Sequence, residues 1–397
     1  MPVTSTTADM QKKGDEEMTA ELGKTKPYHD LQERFAGHPL GAPPTETFLE
    51  ILKFYYEPEE AHLAAHMSWD LEPEEIIAKR AEMTSEEAAP ILTRMASKFF
   101  IRGVKRPDGV RVFRLPYILP GLFELPFAMR QPSPELDKLG ALWDKYYVEA
   151  WGRELHNGSF QVARALPAIQ PPKERVVPFE DAVRLVEKAS SPAIYPCMCR
   201  LASHKCDDPV NVCIVFGLGF YGGDVPGEPV LDPAHMVGAP QGRPASLDEV
   251  VDVLKLTERA GLVHTTANFQ EGTWMICNCC RHACKVLRGM TQLDIPHAVA
   301  PSAYWVTVDG DLCNGCAACV DRCQVDAIRM SDDGIAEIDY ERCLGCGICT
   351  FVCAPDALRL SLRDERVFTP ALDQHEFLVM LGDARGRPHT PHHHPHV

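Results

Sequence analysis

The chain has 397 residues, enough for two or three domains, and its 45% hydrophobic content is that of a globular protein with a folded core. A formal net charge of −16 argues against a polyanion or an anionic membrane as the bulk partner. No apolar run approaches the ~18 residues that a membrane span needs, and the opening MPVTSTTADMQKKGDEEM has no apolar h-region, cleavage site or twin-arginine signal, so a cytoplasmic location is expected.

Residues 1–45 are polar, punctuated by Pro and Gly and aperiodic, which predicts a mobile N-terminal segment at least to Lys26. Thr45–Met67 has apolar positions at helical spacing, broken at Pro58. Glu72–Met83 and Thr84–Phe99 follow as helices, the last opening on the cap-like TSEE. Next, FFIRGVKRPDGVRVFRL offers two short alternating strands around Pro107-Asp108-Gly109. Three helices followed by a hairpin over 46–130 resemble a winged helix, which implies either DNA binding or protein docking. Arg102, Lys105, Arg106, Arg111 and Arg114 in the hairpin favour DNA. The candidate recognition helix, TSEEAAPILTRMASKFF, carries two glutamates on its N-terminal face, where phosphate contacts would be needed. Docking is therefore the expected role, and nucleic acid is not an expected partner.

Residues 131–300 read as a cysteine-rich α/β middle domain with a helical linker. Pro132–His156 is a helix whose Trp143, Tyr146, Tyr147 and Trp151 suit a core or interface. A proline-rich linker, LPAIQPPKERVVP, follows, and helices Phe179–Ala189 and Ser246–Ala260 frame the domain. All 16 cysteines lie between Cys197 and Cys353 in four groups of four, a distribution that suits metal ligation rather than a disulfide scaffold. YPCMCRLASHKCDDPVNVC supplies Cys197, Cys199, Cys206 and Cys213; WMICNCCRHAC supplies Cys277, Cys279, Cys280 and Cys284. Continued as a helix through KVLRG, the second stretch puts Cys277, Cys280 and Cys284 on one face and turns Cys279 aside. Both groups are expected to fold together around one or two further iron–sulfur clusters. Structural zinc and a reactive thiol are the alternatives. Arg200, Lys205, Arg281 and Lys285 would offset the charge of thiolate-ligated iron, while His204 and His282 read as hydrogen-bonding neighbours more than as ligands. GLGFYG, residues 217–222, fits a dinucleotide-binding turn, but the GDVPGEPVLDP stretch after it cannot open the required helix.

Asp311–Leu360 contains an internal repeat. CNGCAACVDRC places Cys313, Cys316, Cys319 and Cys323 at C-x2-C-x2-C-x3-C, and CLGCGICTFVC repeats that spacing at Cys343, Cys346, Cys349 and Cys353. Three thiolates of each run converge on one cubane while the fourth points to its neighbour. One 4Fe–4S cluster is thus expected on Cys313, Cys316, Cys319 and Cys353, the other on Cys343, Cys346, Cys349 and Cys323. The stretch 301–364 resembles the bacterial two-cluster ferredoxin domain. It departs from that pattern in having Gln324 and Ala354 where a proline usually follows the fourth cysteine. Residues 365–397 read as a tail, with five histidines among its last nine residues.

Together these readings predict an α+β multidomain chain: a winged-helix-like front, a cysteine-rich middle and a two-cluster ferredoxin domain. The function expected is electron transfer to or from a redox partner protein through the two clusters and the upstream centre, with no membrane span. Two alternatives stand: an anaerobic reductase with substrate at the upstream site, and a redox-sensing DNA-binding regulator.

Overall fold

The computed structural model describes residues 25–168, 181–189, 191–217, 228–236, 238–363 and 369–388. The proline-rich linker beyond 168, most of GLGFYG and the histidine-rich end lie outside these segments.

Structure begins well before residue 45. A helix spans 25–36, and Tyr28, Leu31 and Phe35 on one face of it are buried, as are Leu40 and Ala42 beyond it. Their i, i+3, i+7 spacing is an apolar stripe too sparse to stand out among the surrounding charges. The expected helix over 45–67 is two helices, Glu46–Tyr55 and Pro58–Ala65. Thr45 caps the first by accepting the Phe48 N–H, and Pro58 opens the second, where its missing N–H costs nothing. A two-residue strand at Glu72–Pro73 leads into Glu74–Arg80. The next helix, Ser85–Ser97, starts on a reciprocal cap between Thr84 and Glu87. The hairpin follows as strands Arg102–Lys105 and Arg111–Arg114. Its second arm pairs with Glu72–Pro73 and the outer edge of its first arm with Glu228–Pro229.

Helix Pro134–Tyr146 continues through a π-helical turn, Tyr147–Trp151, into Gly152–Leu155. Trp143, Tyr146, Tyr147 and Trp151 are fully buried, with Phe48 stacked on Tyr146 at 4.8 Å between ring centroids and Phe123 edge-on to Trp143 at 5.4 Å. This helix thus belongs to the front core as much as to the middle domain.

The middle domain is built on a six-stranded sheet. In spatial order its strands are Ala163–Ala165, Val263–Ala267, Met275–Cys279, Asn211–Val215, Ala193–Pro196 and Arg243–Pro244. Every pairing is antiparallel, which corrects the α/β expectation of a parallel sheet: helices Ala182–Lys188 and Leu247–Ala260 each carry the chain between two strands, but the strands so joined are not neighbours in the sheet. Helices Ala182–Lys188 and Leu247–Ala260 cover one face, burying Ile214, Ile276, Val250 and Leu254. Gly261, with φ +86°, ends the second helix in the left-handed conformation.

The C-terminal stretch is not all tail. Gln374–Ala384 is a helix whose Phe377 packs on Phe160 and Phe269, with centroids 6.0 and 5.8 Å away. Arg385 then bonds the carbonyl oxygens of Pro39, Leu155 and Asn157, tying this end to the front of the chain. Among the described residues no helix is long and apolar enough to cross a membrane.

Candidate metal centres

Residues 304–362 form two small β-ladders, Tyr304–Val308 with Leu358–Leu362 and Ile328–Met330 with Ala336–Ile338. The two cysteine loops lie between them, related by a shift of 30 residues that the backbone contacts repeat. The Cys313 N–H donates to the Asp309 carbonyl at 3.1 Å, and that of Cys343 to Asp339 at 2.9 Å. Ala327 N donates to Cys323 Sγ, and Ala357 N to Cys353 Sγ, each at 3.2 Å. Such N–H···S contacts stabilise thiolate charge and raise a cluster's potential. Gly345 has φ +64°, and a Cβ on it would meet the Tyr304 carbonyl oxygen at 2.0 Å. Only glycine allows that loop to lie so close to the strand.

Two separate cavities divide the eight thiols four and four. Cys313, Cys316, Cys319 and Cys353 line one, and Cys343, Cys346, Cys349 and Cys323 line the other. Cys316 is exposed, whereas Cys343 and Cys349 are buried. The first group therefore lies nearer solvent than the second.

Upstream, the strand assignment changes the geometry expected of WMICNCCRHAC. Met275–Cys279 is the third strand of the middle sheet, not the start of a helix, because its backbone is paired on both edges. Alternation then puts Cys277 and Cys279 on the same face, so Cys279 is not turned aside. Asn278 points the opposite way: its Oδ1 accepts from Thr257 at 3.0 Å and contacts His264 Nδ1 at 2.6 Å, and its Nδ2 donates to the Val212 carbonyl at 2.5 Å. Cys213, on the adjacent strand, brings its sulfur to 4.0 Å from that of Cys277. Cys284 approaches Cys279 at 3.1 Å, and Thr265 Oγ1 lies 3.2 Å from Cys279 Sγ. Cys197 and Cys199 join from the helix Met198–Ser203 and its first flanking residue, Cys199 contacting Cys284. Six sulfurs thus gather on the sheet face opposite the helices. S–H donation from Cys277, then from Cys284, pulls the Cys279 thiol down to about 5, making it the group's preferred thiolate. The other two upstream cysteines pair with one another, Cys206 Sγ lying 3.7 Å from Cys280 Sγ, with Cys199 packed beside them.

Positive charge collects beside the six thiols. Asp144 receives Lys205 Nζ at 2.5 Å and Arg288 at 2.7 Å, and also Lys285. Burial raises the Asp144 carboxyl, but Lys285 and its companions outweigh this and hold it well below the usual carboxylate range. One carboxylate facing three cations leaves an excess of positive charge, which suits an anionic metal–thiolate group nearby. Burial pulls the Lys285 ammonium down to about 8. Arg200 is buried and donates to the carbonyls of Pro209 and Asn278. Arg281, by contrast, pairs with Asp326 of the C-terminal domain at 2.6 Å. His204 turns outward to Asp137, 3.0 Å away.

A cavity of about 110 Å³ borders five of the six thiols, Cys213 excepted, and also Cys280; its walls include Tyr117, Leu119, Phe269, Trp274, Phe377 and Glu124. Burial pushes the Glu124 carboxyl up to about 7, against the stabilising N–H of Gly121 at 2.7 Å. Glu124, Asp144 and Thr265 come from elements remote from any cysteine motif, and no sequence signal marked them. Gln324 was visible only as a missing proline: its Oε1 accepts the Arg281 N–H at 2.8 Å.

The 4Fe-4S dicluster domain family matches residues 312–357. A curated relative described as a probable ferredoxin, from Methanosarcina thermophila, is 56% identical over 32 residues, 8% of this chain and 55% of the relative. The match thus spans about half of that relative's length. No solved structure matches the chain. Residues 312–357 are accordingly a ferredoxin-like 4Fe–4S domain, which supports iron–sulfur clusters and electron transfer there.

Proposed function

We propose that this protein is an electron-transfer protein or subunit carrying low-potential electrons between a redox partner and an upstream iron–sulfur centre, by way of two 4Fe–4S clusters. One cluster is assigned to Cys313, Cys316, Cys319 and Cys353 and the other to Cys343, Cys346, Cys349 and Cys323, an assignment supported by the two four-thiol cavities. The upstream centre is assigned to the six thiols on the sheet face. One observation carries the relay: Cys279 and Cys284 belong to the same buried cluster as Cys319, Cys343 and Cys349. That packing favours electron passage without a diffusing carrier. Residue 316, the exposed one, marks where a partner's donor would approach, and sixteen free cysteines suit a reducing, cytoplasmic compartment.

The front of the chain, 46–130, is assigned as a winged-helix-like docking module. The helix–strand–helix–helix–hairpin order supports it, with the short strand beside the second hairpin arm. DNA binding is disfavoured because four of the cations on the helix and hairpin are engaged. Arg94 and Lys98 of the recognition helix pair with Glu60, Arg111 with Glu74 and Arg106 with Asp108.

Anaerobic iron and sulfide analysis of the full chain tests the relay, which requires about twelve irons, ~four per cubane. A value near eight would confine redox chemistry to the C-terminal domain.

The apolar cavity against five of the six thiols favours a second reading, a reductase whose small apolar substrate sits beside the upstream centre, with Glu124 as its proton source. Apolar ligands that bind there would alter the EPR signal of that centre and no other. A signal indifferent to every such ligand would sink this reading.

A further inference from the structure

Cys206 and Cys280 pair with one another at the edge of the six-thiol group, and the residues two places after each complete a set. Asp208 follows Cys206 and His282 follows Cys280, so two C-x-ligand pairs face one another across a loop and a turn. One donor atom from each of the four side chains lies within 4.8 Å of all the others. From this geometry we infer a mononuclear zinc site on Cys206, Asp208, Cys280 and His282, adjacent to the six-thiol group but sharing no donor with it.

The distances fit a tetrahedral ion. Two thiolates at the usual zinc–sulfur length of about 2.3 Å lie about 3.8 Å apart at a tetrahedral angle, and the two sulfurs here are 3.7 Å apart. That is far beyond the ~2.05 Å of a disulfide. His282 Nδ1 lies 3.8 Å from the Asp208 carboxylate, too far for a hydrogen bond and close to the spacing of two ligands on one ion. Soft thiolates exclude magnesium and calcium, and the single imidazole and carboxylate suit zinc. Four protein donors close the coordination sphere, so the ion acts as a structural clip. It fastens the 204–210 loop, whose Lys205 reaches Asp144, to the turn after the strand that carries Cys277 and Cys279. Cys280 is buried while half of the His282 side chain is exposed, which gives the ion a route in from solvent. The site stands whether or not the six neighbouring thiols carry iron.

The test is zinc and iron analysis of the full chain, produced anaerobically with zinc supplied, in the parent protein and in Asp208→Ala with His282→Ala. One zinc per chain is expected in the parent, with occupancy after dialysis at least tenfold lower in the double variant and iron unchanged. Cobalt(II) in its place should give the intense visible bands of a tetrahedral thiolate site, also lost in that variant. A parent without zinc, zinc that persists in the double variant, or iron lost in step with zinc would each overturn the proposal. Retention of the C-terminal clusters' EPR spectrum confirms that the variant is folded.

Discussion

The backbone N–H of Arg281 donates to Oε1 of Gln324 at 2.8 Å, joining the residue after Cys280 to the residue after Cys323. The Arg281 guanidinium adds contacts to the Cys323 carbonyl at 3.3 Å and to Asp326 at 2.6 Å. The position that departs from the ferredoxin pattern is thus the one at which the two cysteine-rich regions meet. Gln324→Ala should leave iron content unchanged and lower stability by about 1 kcal/mol, the usual worth of one such bond, read from the denaturant midpoint. Iron loss would instead make Gln324 part of cluster binding.

Cys353→Ala should remove about four irons, those held with Cys313, Cys316 and Cys319, and spare the cluster on its own half of the repeat. EPR of the reduced protein reads this directly, because the spin coupling between two neighbouring clusters collapses to the spectrum of one isolated cluster. Survival of the Cys313 cluster with loss of the other would refute the exchange of ligands.

Asn278 is 2% exposed and shares three hydrogen-bonding contacts with Thr257, His264 and the Val212 carbonyl. Asn278→Ala orphans those buried partners and opens a small cavity, at a cost of about 3 kcal/mol. Equilibrium unfolding gives the value, and a loss within the noise would mean that the partners find one another.

The Glu124 carboxyl, raised from 4.5 to about 7 by burial, shares its cavity with the Lys285 ammonium. Burial favours the protonated form, so its stabilisation is fully present below about 4.5 and fades as pH rises through about 7. Between those values the chain should lose about 3 kcal/mol of stability. Glu124→Gln should remove that slope and leave the other titrations in place; an unchanged slope would place the carboxylate in contact with water.

With the hairpin edge paired to Glu228–Pro229 and Arg94 and Lys98 spent on Glu60, residues 46–130 should bind no duplex DNA even at low salt, where phosphate attraction is strongest. Salt-dependent retardation abolished by Lys105→Glu with Arg106→Glu would restore the regulator reading.

Legibility in the sequence followed the range of the interaction. The ferredoxin-like repeat could be read because each run of four cysteines is local and its spacing recurs at a fixed interval. The hairpin and its preceding helices were legible through local signals, the Asp108-Gly109 turn and the Thr84 cap. WMICNCCRHAC was misread because a short apolar run is ambiguous between helix and strand; pairing with 211–215 and 263–267 decided it. Helix 25–36 was missed because charges interrupt its stripe, and Asp144 because its cationic partners lie more than sixty residues on.

The central strand of the middle sheet also determines which atoms can become ligands. A slip of one residue against its neighbours would turn Cys277 and Cys279 into the helix-covered layer and bring Asn278 and Ile276 to the sulfur side. Pairing on both edges forbids that slip. The sheet is therefore a template: backbone registry alone sets where these sulfurs point, unlike the small zinc modules that have no shape until they are loaded.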